Sequence, residues 1–105
     1  MRNFSLYYCP FPEGIQANGI SMTDETGQRY IIAIRDTIPE EKKLDTLKHE
    51  LAHCHLNHFA GARDNEIQSM DFQRMEREAD IYASLMPDRE FKFLMSFKDK
   101  ETVLE

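Results

Sequence analysis

Two imidazoles one helical turn apart, with a carboxylate beside the first, are the parts of a hydrolytic metal site, and residues 49–53 read HELAH. On a helix, positions i and i+4 share a face, so His49 and His53 can both reach one Zn²⁺ at about 2.0–2.1 Å. Glu50 stands next to the first imidazole, where a carboxylate can take a proton from water without itself being a ligand. With four histidines in 105 residues, random order would place such a match in roughly 1–2% of chains. The motif is therefore informative, and it needs a third ligand.

The stretch EREAD supplies one. Glu76 and Asp80 lie one turn apart on a second helical segment whose apolar stripe, Met75, Ala79, Tyr82 and Met86, would dock it against the first. Glu76 can then ligate while Asp80 holds a ligand histidine through its other ring nitrogen. Glu78 and Glu66 are further candidates for the third ligand. Glu41 and Asp45 have the same spacing but precede His49 on its own helix, so they cannot close the site from the opposite side.

Other residues are weaker candidates. A third histidine after a glycine turn, HExxHxxGxxH, would require glycine at 56 and histidine at 59, where the chain has Leu56 and Phe59. His58 is thus out of register, and His55 projects towards the leucine side of the helix. Cys54 points about 100° away from His53, as a small core hydrophobe. Tyr30 or Tyr82 could donate to a developing oxyanion, but spacing selects neither, and core packing is the expected role of both.

These side chains need elements to carry them. Up to about Asp36 turn formers punctuate β-branched runs, which predicts two or three strands joined by tight turns, Tyr30 to Arg35 the clearest. TIPE then offers Thr37 as a helix N-cap with Glu40 three residues on. Leu44, Leu47, Leu51 and Cys54 form the stripe that turns this helix towards the core, with the histidine pair on another face. FAGARDNEIQSM has no strong period and reads as a loop, with Gly61 to Ser69 a candidate active-site loop. A second helix follows from about Asp71. After Pro87, DREFKFLMSFK predicts a short amphipathic helix packing through Phe91, Leu94, Met95 and Phe97.

Composition limits what the chain can do. A formal charge of −6 with six lysines and seven arginines scattered along it argues against nucleic-acid binding, which depends on clustered cations. There is no apolar run of membrane-spanning length and no signal-peptide pattern at the start, so a cytoplasmic protein is expected, with no membrane partner. Cys9 and Cys54 fit a reducing compartment better than a disulfide framework. No repeat or linker divides residues 1–105, which predicts one domain. Oligomeric state is left open.

HELAH followed by EREADIYASLMP resembles the ImmA/IrrE family of zinc metallopeptidases, over a stretch from about Ile31 to Pro87. The resemblance implies His49, His53 and Glu76 as metal ligands, Glu50 as the catalytic acid/base and Asp80 as support for a ligand. It also implies a partner, since members of the family are commonly encoded on phages and other mobile elements beside a helix-turn-helix repressor that they cleave or inactivate. The expected fold is α+β, a small N-terminal sheet packed on a zincin-like helical core, with HExxH on the first helix and the glutamate ligand on the second, as in gluzincins. The expected activity is zinc-dependent hydrolysis of a peptide bond in a regulatory protein. A non-catalytic zinc-binding interaction module, or a toxin or anti-defence factor on the same fold, is the alternative.

Overall fold

A strand in which every second side chain is large and apolar has one face to bury, and Tyr30–Arg35 behaves this way: Tyr30, Ile32 and Ile34 are buried while Ile31, Ala33 and Arg35 are half-exposed. The computed structural model describes residues 1–58 and 69–99. Its strands are β1 (Phe4–Cys9), β2 (Gly19–Thr23) and β3 (Tyr30–Arg35), and its helices α1 (Glu40–His55), α2 (Ser69–Ser84) and α3 (Asp88–Met95). The architecture is α+β, as expected. Most of the loop expected between the first two helices, with Gly61 and Glu66, lies outside the described residues, and α2 begins at Ser69, two residues ahead of the expected start.

The three strands form a sheet in the order β1-β3-β2, with β1 parallel and β2 antiparallel to β3. The sequence predicts tight turns throughout, but parallel strands cannot be joined by a hairpin, and β3 sits between the other two. The β2–β3 connection is the compact one. There the Asp24 side chain accepts hydrogen bonds from the Thr26 hydroxyl at 2.8 Å and the Gln28 N–H at 3.2 Å, and Gly27 takes φ 73°, a left-handed conformation that glycine adopts without steric cost. As a consequence of this order, β2 is an edge strand among the described residues.

The helices cover one face of the sheet. Phe4, Leu6, Tyr30, Ile32 and Ile34 meet Leu47, Leu51 and Cys54 of α1, with Met86 and Leu94 completing the core. Phe91, Met95 and Phe97 pack against it as the amphipathic pattern predicts. Past α3 the chain returns to the sheet, where Lys98 bridges to Phe4 and the Arg29 guanidinium pairs with Asp99 at 2.6 Å. Among the described residues no helix is long and apolar enough to cross a membrane.

Two details of α1 differ from expectation. Thr37 is not its cap: the helix starts at Glu40, with Pro39 in the cap position, extended at ψ 156° and making no side-chain cap bond. A proline disfavours helical backbone at the residue before it, so Ile38 cannot carry the helix back towards Thr37. Glu40 and Glu41 in the first turn offer negative charge to the helix N-terminus instead. The apolar stripe also begins one turn late, since Leu44 is 43% exposed and the core begins at Leu47.

Cys9 and Cys54 are free thiols. Burial, with the Glu50 charge adding to it, pushes the Cys54 thiol up to about 12. Only the thiolate reacts with alkylating agents, so Cys54 in the native protein is expected to react with iodoacetamide at pH 8 at least about a hundredfold more slowly than a free thiol. Peptide mapping of timed samples checks this: Cys9 is labelled first and Cys54 only on unfolding, and equal early labelling would contradict the burial.

Candidate metal centre

The axis of α1 fixes two imidazoles a turn apart, and α2 crosses beside it with its own carboxylates facing them. His49 Nε2 and His53 Nε2 are 3.1 Å apart. Glu76 bridges them, with Oε1 3.2 Å from His49 Nε2 and Oε2 2.8 Å from His53 Nε2. Among the described residues these three are the group of side chains able to hold a metal ion.

The donor set fits a divalent cation of zinc type. Two nitrogens and an oxygen bound at about 2.0–2.1 Å in tetrahedral geometry stand about 3.3–3.4 Å apart, so the observed triangle needs to open by only a few tenths of an ångström. The outer side of the first imidazole is also arranged for ligation. Asp80 Oδ1 lies 2.8 Å from His49 Nδ1, where the carboxylate's charge favours the proton on this nitrogen and leaves the Nε2 lone pair directed inwards. Burial lowers the proton affinity of His53, which favours the neutral imidazole that a metal requires, although the nearby Glu76 charge opposes this.

Glu50 lies one position along the helix from His49 and is only 6% exposed. Burial raises its carboxyl above the usual carboxylate range, with the Ser21 hydroxyl bond and the His49 charge acting in the opposite direction. A cleft runs past it on both sides. One cavity of about 370 Å³ is lined by Asn18, Thr46, His49, Glu50, Glu76 and Asp80, and another of about 450 Å³ by Ser21, Glu50, His53, His58, Phe72 and Met75. Ala17 and Gly19 border both.

Gly19 is a residue that the sequence left unmarked except as part of a turn. At the start of β2 it lies so close to α1 that a Cβ there would meet Thr46 Cγ2 at 2.6 Å and both Glu50 Cγ and Oε2 at 3.2 Å. The edge strand can therefore lie against the Glu50 carboxyl only because this position has no side chain. Gly19→Ala is expected to lower stability by about 1–3 kcal/mol through overpacking and to displace Glu50. Adding Thr46→Ser, which removes the colliding methyl, restores most of the loss. Thermal unfolding of the single and double variants tests this, and a double variant no better than the single would remove the contact as the cause.

The remaining candidates lie elsewhere. Glu78 is turned away from the triad and pairs with His58, its Oε1 3.0 Å from His58 Nε2. Tyr30 donates its hydroxyl to Asn57 Oδ1 at 3.1 Å, and Tyr82 packs on the core with its ring stacked on His55, centroids 5.0 Å apart. Both tyrosines are packing residues. His55 is exposed, its ring reaching α2.

An HExxH pair on one helix, joined by a carboxylate from the next, is the site of a metallopeptidase, and this is the class that fold and geometry define. Residues 9–103 match the family described as the IrrE N-terminal-like domain, a peptidase family, and the chain belongs to it. No curated protein matches the chain.

Proposed function

We propose that this protein is a zinc endopeptidase that cuts one peptide bond in a cytoplasmic regulatory protein, a helix-turn-helix repressor of a phage or other mobile element. The observation that carries the hydrolytic part is the buried Glu50 carboxyl lying beside three converging ligand atoms, in a cleft bordered by a sheet edge. The two nitrogen donors and one carboxylate suit zinc.

A zinc ion held by His49, His53 and Glu76 would supply Lewis acidity, polarising the scissile carbonyl and acidifying the attacking water. Glu50 takes the proton from that water and gives it to the leaving amine. Its raised proton affinity brings the carboxyl nearer the working pH, where proton transfer in both directions is efficient. Asp80 holds His49 in the tautomer that leaves Nε2 free. Among the described residues β2 is an edge strand, and its outer backbone N–H and C=O groups are ones on which an extended substrate can add as a strand, which orients its peptide bonds along the cleft.

The choice of substrate rests on the family resemblance and on charge. A chain of net charge −6 attracts basic partners, and DNA-binding repressors are basic. Free cysteines suit the cytoplasm. The test is incubation of the zinc-loaded protein with the repressor encoded beside its gene, followed by intact-mass spectrometry. Cleavage at one bond by the wild type and not by Glu50→Gln is the expected result. An intact repressor, with unstructured peptides cut by the same preparation, would discard the repressor and keep the peptidase.

A further inference from the structure

Behind His53 stands another imidazole, and the backbone puts it there. α1 ends with Leu56 as its cap and Asn57 at φ 56°, the left-handed conformation in which asparagine is tolerated. The Asn57 N–H donates to Cys54 O at 3.1 Å and the His58 N–H to His53 O at 3.1 Å. This pair of bonds is the Schellman arrangement, which brings the second residue past the cap back over the residue three places before it. Those residues are His58 and His53. Their Nδ1 atoms are 2.8 Å apart, with ring centroids at 5.0 Å and planes at 66°.

The proton positions in this chain follow from one requirement. If His53 Nε2 is to offer its lone pair to a metal, the His53 proton must sit on Nδ1 and be donated to His58 Nδ1. The accepting nitrogen is then bare, so His58 carries its proton on Nε2, and Nε2 lies 3.0 Å from Glu78 Oε1, an acceptor. Both nitrogens of His58 are thereby engaged, one by His53 and one by Glu78, and its side chain is only 9% exposed, while Glu78 at 50% keeps contact with solvent.

We infer that His58 and Glu78 are positioning residues that fix the tautomer and orientation of His53 through a Glu78–His58–His53 relay, as Asp80 does for His49 through a single bond. This inference rests on the reading of His49, His53 and Glu76 as metal ligands. The two arms differ in kind. His49 is backed directly by a carboxylate, whereas His53 is backed by a neutral imidazole that is itself backed by a carboxylate. The relay joins both histidines to α2, since Glu78 and Asp80 stand two residues apart on that helix.

The experiment is zinc affinity by competition with a chromophoric chelator, using the full chain and zinc alone, beside nitrogen-15 spectra of the histidine rings. His58→Leu removes the acceptor and is expected to weaken zinc binding about 10–100-fold. His58→Asn, which keeps an acceptor oxygen near the Nδ1 position, regains most of that loss, and Glu78→Gln loses a smaller factor. In the zinc-loaded wild type His58 is protonated on Nε2 and bare on Nδ1. A merely structural role would not move the ring spectra or be rescued by asparagine. His58 protonated on Nδ1, or variants with wild-type affinity, would overturn the relay while leaving the metal site standing. A wild type that takes no zinc would overturn the metal reading and the relay together. Should His58→Leu fail to fold, the exposed Glu78→Gln position and the wild-type spectrum decide.

Discussion

Glu50→Gln is expected to lower kcat by about 10²–10⁴-fold, the contribution of a positioned general acid/base, and to leave bound metal at the wild-type level. Glutamine has nearly the same shape as glutamate, so it occupies the same buried position, but its amide cannot accept and return a proton at neutral pH. The variant therefore separates catalysis from folding. Residual activity above a tenth of the wild type, with metal in place, would remove Glu50 from its assigned role.

The same substitution has a thermodynamic signature in the metal-free protein. Burial raises the Glu50 carboxyl in the folded state above its unfolded value. Its contribution to stability is then fully present below the usual carboxylate range and is lost as pH rises through the folded value. Near neutrality the ionised group opposes folding, so metal-free Glu50→Gln is expected to melt above metal-free wild type at pH 7 and to show little of this difference at pH 4. Thermal unfolding at the two pH values is the measurement, and a variant less stable at both would contradict a Glu50 carboxyl raised by burial.

Glu76→Ala is expected to weaken zinc binding by more than about 100-fold, beyond the loss of an outer hydrogen-bonding partner, and to abolish peptide hydrolysis. Its side chain is 39% exposed, so its removal leaves no cavity in the core. His53→Ala should do the same to the metal but also loosen the fold, because that residue is 7% exposed. Elemental analysis of the purified chains reads the first effect. Zinc at 1,000 times the wild-type dissociation constant stabilises the folded protein by about 4 kcal/mol, whereas a 100-fold loss of affinity leaves about 1.4 kcal/mol at the same concentration, so the melting shift with added zinc is expected to fall to about a third or less in the variants. One zinc per chain retained by Glu76→Ala would exclude Glu76 as a ligand.

Much of this centre is legible in the sequence because its period is local. His49 and His53 fall on one face by helix geometry alone, and the stripe from Leu47 to Cys54 fixes which way that face turns. Glu76 and Asp80 repeat the argument on α2. What the sequence does not disclose depends on contacts between distant elements or on backbone outside the regular periods. Gly19 looks like any turn glycine until β2 is laid against Thr46 and Glu50. His58 fails the third-histidine spacing and reads as unconnected, because a helical projection cannot foresee the reversal at Asn57. A signal was present, since asparagine just past the last apolar position marks a left-handed helix end. The parallel pairing of β1 with β3 is likewise non-local, and the capping preference of Thr37 is outweighed by the proline two residues after it.

The three side chains able to hold a metal come from two helices that are separate stretches of chain, and Glu76 lies on the same element as Phe72 and Met75, which wall the cleft. An ion held between them would be a crosslink across the mouth of the cleft. It closes a chain loop in the folded protein and couples the opening of α2 to the loss of a coordination bond. Full excursions of that helix away from α1 then occur no faster than the ion can leave, so metal retention and the width of the channel are governed by one motion. On the proposed peptidase reading, an extended substrate would then enter lengthwise along the sheet edge, since helices joined by an ion would resist parting.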